Sequence, residues 1–182
     1  MSTAAQRKLL TVEEYLELER SSPVKHAYYQ GELFAMAGGS PGHSEIKWRL
    51  VVPLGRELGE AACRGFDSDM RVKIEATGLY TYADASITCQ RPRFEGRHED
   101  TLLNQQVIFE VLSPSTELYD RSTKFDHYRT IPTLQHYVLV SQSRPRIELY
   151  TRGADGAWTY TSHEPGRDPV ALTAINYQLD VE

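Results

Sequence analysis

The sequence reads as an α/β or α+β domain: one mixed sheet with helices outside it. Three observations carry that reading. Ile46, Leu50, Leu54 and Leu58 recur every fourth residue, the apolar stripe of an amphipathic helix. Short runs rich in β-branched and aromatic residues, such as Val107-Ile108-Phe109-Glu110-Val111-Leu112, have the length and make-up of strands. Gly- and Pro-centred turns separate these elements, and there is no repeat, low-complexity segment or linker. The chain has 182 residues, 40% of them hydrophobic, enough for one well-filled core and short for two. One domain over residues 1–182 is therefore expected.

The elements follow in order. Thr11 and Glu14 form a capping box that opens a helix ending before Ser21-Ser22-Pro23. His26 to Ala37 is a strand-rich stretch with Gly31 as a bend or bulge. After the Gly38–Gly42 loop, a second helix runs from about His43 to Ala62, and Pro53 should kink or break it. Two strands, Met70–Glu75 and Leu79–Cys89, flank the turn Ala76-Thr77-Gly78. Residues 90–104 are polar, with charges of both signs, and read as an exposed loop. Gln106–Leu112 is an apolar strand, and a third helix spans about Ser115 to Arg129. Leu134–Val140 and Arg146–Tyr150 read as a strand pair, with further strands at Trp158–Thr161 and near Tyr177–Val181.

The net charge of −5 gives a mildly acidic surface, the reverse of the basic footprint with which proteins usually grip phosphates. Cys63 and Cys89 are too few for a disulfide framework and form no C-x-x-C pair, so two buried thiols in a reducing cytosol are expected. The N-terminus lacks the apolar stretch of a signal peptide, and no run is long enough to span a bilayer. A soluble, cytoplasmic protein without membrane association is the expectation. Trp48 and Trp158 are assigned to the core.

Three residues carry the chemistry. Glu110 is an ionisable group among apolar neighbours in a strand, where an unpaired carboxylate would cost several kcal/mol or be forced to protonate. A metal ion or a buried Arg or Lys is required as partner; a structural salt bridge would satisfy the same demand. Asp84 is a second signal, because Asp has poor strand propensity and sits among Tyr80, Tyr82 and Ser86 on one face. Two converging carboxylates repel unless a divalent cation or a shared proton neutralises them. Oxygen ligands of this kind suit Mg²⁺ or Mn²⁺. On the third helix Asp120, Lys124 and Tyr128 share a face, with Leu118 and Phe125 on the core side. Lys124 either points back over the Glu110 strand or forms a weak surface pair with Asp120.

The assembly resembles the PD-(D/E)xK nucleases, in which a strand Asp and a strand Glu bind metal and a Lys two residues past the Glu assists water. More closely, the chain is similar to the Uma-two family of restriction-endonuclease-like proteins. The matching segments are Thr11–Tyr15, Gly31–Leu33, Ser40–His43, Ser68–Val72, Leu79–Asp84, Glu110–Thr116, Tyr119–Arg121, Lys124–Tyr128 and Tyr137–Val140. They cover nearly the whole chain, and the Glu110–Thr116 block with Asp120 and Lys124 is the most specific part. Two departures matter. Ala83 stands where the superfamily has Pro before the Asp, and Leu112 stands where it has Lys. The resemblance implies that Lys124 supplies the lysine from the following helix.

The resemblance further implies an α/β fold, with a mixed central sheet flanked by helices and a second layer of C-terminal strands. It implies Mg²⁺ or Mn²⁺ held by Asp84, Glu110 and the carbonyl of Val111, and hydrolysis of phosphodiesters in nucleic acid, DNA foremost. His43, Glu32, Tyr82 and Asp120 are candidates for the shell around these ligands, with Glu45 and Asp69 behind them. A homodimer would compensate for the scant positive surface. Two rival readings stand beside this one: a catalytically silent nuclease fold serving in binding or regulation, and a metal-dependent hydrolase of a small phosphate ester. No phosphate-binding glycine loop, zinc cluster or G-x-S-x-G elbow is present.

Overall fold

A computed structural model describes residues 9–36, 38–59, 63–166 and 168–181. Helix α1, Val12–Ser21, starts on the expected capping box, with Thr11 Oγ1 accepting from the Glu14 N–H and the Glu14 carboxylate accepting from the Thr11 N–H. The expected stretch from His26 is a hairpin, strands β1 (His26–Tyr29) and β2 (Glu32–Ala35). Gln30 and Gly31 both take positive φ, +50° and +89°, as a two-residue hairpin turn demands. Ala37 lies outside the described residues.

Helix α2, Pro41–Gly59, continues through Pro53 without a break; its expected end at residues 60–62 lies outside the described residues. Leu50, Leu54 and Leu58 are buried as the stripe requires. Trp48 is not in the core: it is 69% exposed, because two positions from Leu50 is the opposite face of the helix.

The expected strand Leu79–Cys89 is two strands in two sheets. Strand β5 (Leu79–Tyr82) joins β4 (Arg71–Ile74) and the two-residue β7 (Thr101–Leu102) in a five-stranded sheet of order β2-β1-β5-β4-β7. Strand β6 (Ala85–Thr88) joins a six-stranded sheet of order β11-β10-β9-β8-β6-β3. Here β3 is Arg64–Asp67, β8 Val107–Leu112, β9 His136–Ser141, β10 Ile147–Arg152 and β11 Trp158–His163. Asp84 occupies the crossing point between the sheets, so it is spared the strand interior that its side chain disfavours.

Residues 90–104 are not wholly an exposed loop. Thr101–Leu102 forms β7, parallel to β4, and both residues are buried. The Arg71 guanidinium holds this segment, donating to Thr101 Oγ1 at 2.9 Å and pairing with Asp100 at 3.1 Å.

All six residues of β8 are buried because both faces of its sheet are covered. Val107 and Phe109 pack toward α2 and the C-terminal hairpin of β12 (Val170–Leu172) and β13 (Tyr177–Leu179), joined by a short 3₁₀ turn. Ile108 and Leu112 pack toward Val72, Ile74, Phe125 and Tyr128. The expected third helix divides at Ser122 into α3 (Glu117–Arg121) and α4 (Thr123–Tyr128). That break decouples the faces of the two short helices. Leu118, expected in the core, is 80% exposed, whereas Asp120 and Phe125 are buried.

Cys63 and Cys89 are joined in a disulfide rather than free. They flank the paired residues Arg64 and Thr88 at the ends of β3 and β6, which brings their Cβ atoms together across the ladder. Sequence spacing carried no sign of that register.

Candidate active site

Alternation along β8 puts Glu110 on the same face as Ile108 and Leu112, toward α4. On α4, Lys124 and Tyr128 are one turn apart and both meet it. Lys124 Nζ lies 2.7 Å from Glu110 Oε1, and the Tyr128 hydroxyl donates to the same oxygen at 2.9 Å. Lys124 also lies 3.5 Å from Asp120 Oδ1 and donates to the Tyr82 carbonyl at 3.4 Å. The Asp120–Lys124 contact is therefore no surface pair: both residues are 4% exposed. The backbone carbonyl of Asp120 accepts from the Tyr137 hydroxyl, which anchors the end of α3 to the sheet.

Strands β6 and β8 are antiparallel neighbours with Ala85 opposite Phe109, so Asp84 and Glu110 meet at the end of one ladder. The Val111 N–H donates to Asp84 Oδ2 at 2.8 Å, and His43 Nε2 lies 2.9 Å from Asp84 Oδ1. In an extended strand the N–H and C=O of a residue face the same edge, so the Val111 carbonyl opens toward Asp84 as well. His43 Nδ1 is buried and has no hydrogen-bond partner among the described residues.

Charge in this cluster is unbalanced. Burial pushes the Glu110 carboxyl up most strongly; Lys124 pulls it down, Asp120 and Asp84 push it up again, and it settles at about 8. Burial also disfavours the Lys124 ammonium, but Glu110, Asp120 and Asp84 together raise it and keep it charged. At Asp84 burial pushes upward, and hydrogen bonds from His43 and the Val111 amide, with the charges of His43 and Lys124, outweigh it and hold the carboxyl low. Three carboxyl groups face one ammonium and the His43 ring, so the charge closes either with a proton held in the cluster or with a bound cation.

Among the described residues no group of three or more His, Cys, Asp or Glu side chains is placed to hold a metal ion. The donor set at Asp84, Glu110 and Val111 is instead two carboxylates and a carbonyl, all oxygen. That set fits Mg²⁺, which keeps several waters and needs only one or two protein carboxylates.

The structure thus brings together Asp84, Glu110, Val111, Lys124, Asp120, His43 and the backbone of Tyr82. It places the other candidates elsewhere. Glu32 lies on the outer strand β2 opposite Tyr29, and Glu45 pairs with Arg49 on the solvent side of α2. Asp69 pairs with Lys25. The Tyr82 side chain turns away from Lys124, donating to Glu19 at 3.0 Å, with Arg71 at 3.5 Å from its oxygen. Tyr128 as the second holder of Glu110 was not read from the sequence, although its spacing from Lys124 was. Arg71 is also buried, but it opens a strand that carries Lys73 as well, so its neighbours gave no sign of that burial.

A family model described as "Putative restriction endonuclease" matches residues 12–182. The chain belongs to this family, Uma2. An "uncharacterized protein" of Synechocystis sp. is 38% identical over 173 residues, 95% of this chain and 90% of that one. A second from the same organism is 36% identical over 88% of this chain and 91% of its own length. A crystal structure described as "a putative nuclease belonging to DUF820" from Anabaena variabilis superposes with a TM-score of 0.75 at 15% identity, covering 94% of this chain and 95% of that one. That likeness establishes the mixed α/β fold of sheets flanked by helices; membership of Uma2 establishes the nuclease-like character. Among the described residues no helix is long and apolar enough to cross a membrane.

Proposed function

We propose that this Uma2 protein is a Mg²⁺- or Mn²⁺-dependent endonuclease that hydrolyses phosphodiester bonds in nucleic acid, DNA foremost. The observation that carries the reading is the buried convergence of Asp84, Glu110 and Lys124, in which acid outnumbers base. Asp84, Glu110 and the Val111 carbonyl would hold the cation. When bound it offsets charge on the reacting phosphate and lowers the pKa of an attacking water.

This chain's own residues supply the rest. Lys124, fixed by Glu110 and Asp120, aims an ammonium at the place where negative charge develops, where it orients water or stabilises that charge. Tyr128 holds Glu110 in one rotamer, and His43 with the Val111 amide does so for Asp84.

One observation favours the silent-scaffold alternative: both Asp84 oxygens already have hydrogen-bond partners. Calorimetric titration with Mn²⁺, followed by a panel of plasmid, single-stranded and branched DNA, RNA and a simple phosphodiester, separates the readings. Metal binding with cleavage of a nucleic acid supports the endonuclease. Binding with turnover of the simple ester alone makes it a small-phosphoesterase. No binding and no turnover leaves the scaffold.

A further inference from the structure

The carboxylate cluster is not equally closed on all sides. Side chains of Glu110 and Lys124 are each 6% exposed, whereas Asp84 and His43 are 13% and 15% exposed. Solvent therefore reaches the cluster from the α2 side. His43 and Lys47 are four residues apart on α2, so they share that face.

Lys47 Nζ donates to Ser68 Oγ at 3.0 Å. A second ammonium reaches the same residue from a different element: Lys25 Nζ donates to the Ser68 carbonyl at 2.8 Å and pairs with Asp69. Lys25 also lies over the Tyr82 ring, 5.3 Å from its centroid. Two cations from separate elements are thus seated on one turn, and one of them, Lys47, lies a helical turn from the His43 that meets Asp84. Both hold down the Asp69 carboxyl, Lys25 most strongly by its hydrogen bond. That carboxylate is 80% exposed, so it is a partner an incoming anion can replace at little cost.

We infer that Lys25 and Lys47 form a phosphate-binding subsite that holds the nucleic-acid backbone next to the scissile bond, with Asp69 occupying it in the free protein. This rests on the endonuclease reading and adds to it where an acidic protein grips a polyanion. The pair concentrates positive charge where it is needed while the net charge stays at −5.

Binding of fluorescent single-stranded and duplex DNA to the full chain, measured in EDTA across a salt series, tests the inference. The double variant Lys25→Gln/Lys47→Gln should reduce the slope of log affinity against log salt by about one per lysine. Lys25→Arg/Lys47→Arg should restore the slope, which a loss of fold would not allow. Asp69→Asn should tighten binding in the wild type and have no effect in the Gln/Gln background. An unchanged slope in the Gln/Gln variant, with wild-type binding intact, overturns the subsite and leaves the endonuclease reading untouched. A wild type that neither binds nor cleaves any nucleic acid overturns both.

Discussion

Lys124 Nζ sits 2.7 Å from Glu110 Oε1 inside the core, with Asp120 and Asp84 both acting on the same ammonium. A buried pair of this kind is weak evidence for stability, because desolvation offsets most of the attraction. Its cost appears when one member is removed. Lys124→Met should destabilise the fold by about 3–5 kcal/mol in urea unfolding, because it strands buried acids without a cation. Adding Glu110→Gln should recover a substantial part of that loss. Strict additivity of the two changes would mean that the pair does not interact.

Divalent cations should stabilise the protein. Binding to the native state alone at about a hundredfold excess over Kd contributes roughly 2.7 kcal/mol, visible as a raised Tm. Asp84→Asn or Glu110→Gln should remove the shift, whereas Glu45→Gln, on the solvent side of α2, should keep it. A shift that survives loss of both carboxylates would place the cation elsewhere.

The stability of the fold should fall below about pH 6.5, and His136 is one source of that fall. It is 1% exposed on β9, within hydrogen-bonding reach of Thr151 at 3.3 Å and Thr173 at 3.2 Å, and burial depresses its pKa from 6.5. A depressed His binds protons less readily folded than unfolded, so its contribution is complete above pH 6.5 and lost as pH falls. His136→Gln should flatten that part of the profile in chelator, measured by urea midpoints between pH 5 and 7.5. An unaltered slope would assign the acid sensitivity to other groups.

The Cys63–Cys89 disulfide closes a sequence separation of 26 residues. Replacing both with Ser should cost about 3 kcal/mol, read as a lower urea midpoint without loss of metal binding. Mass spectrometry after alkylation under non-reducing conditions should find no modified cysteine. Two alkylated cysteines in the freshly purified protein would contradict the disulfide.

Much of this was legible in the sequence because the signals were local. The capping box at Thr11 and Glu14, the leucine stripe of α2 and the apolar strand around Glu110 each state their structure within a few residues. Glu110, Asp120 and Lys124 were legible for a related reason: a carboxylate in an apolar strand demands a partner, and helical spacing supplied one. What stayed hidden depended on register. No pattern in Leu79–Cys89 revealed that the chain changes sheets at Ala83-Asp84, since strand alternation runs smoothly through the junction. The disulfide depends on β3 pairing with β6, and the exposure of Leu118 on a break at Ser122 that propensity does not encode. Lys25, Lys47 and Ser68 come together only through tertiary packing.

The most direct test of the central claim is nicking of supercoiled plasmid by wild type and Glu110→Gln, with Mg²⁺ or Mn²⁺ and with EDTA. The wild type should cleave only with the metal, and Glu110→Gln should be slower by at least about 100-fold while keeping the far-UV circular dichroism of the wild type. Metal-dependent cleavage at the same rate in both proteins would contradict the account.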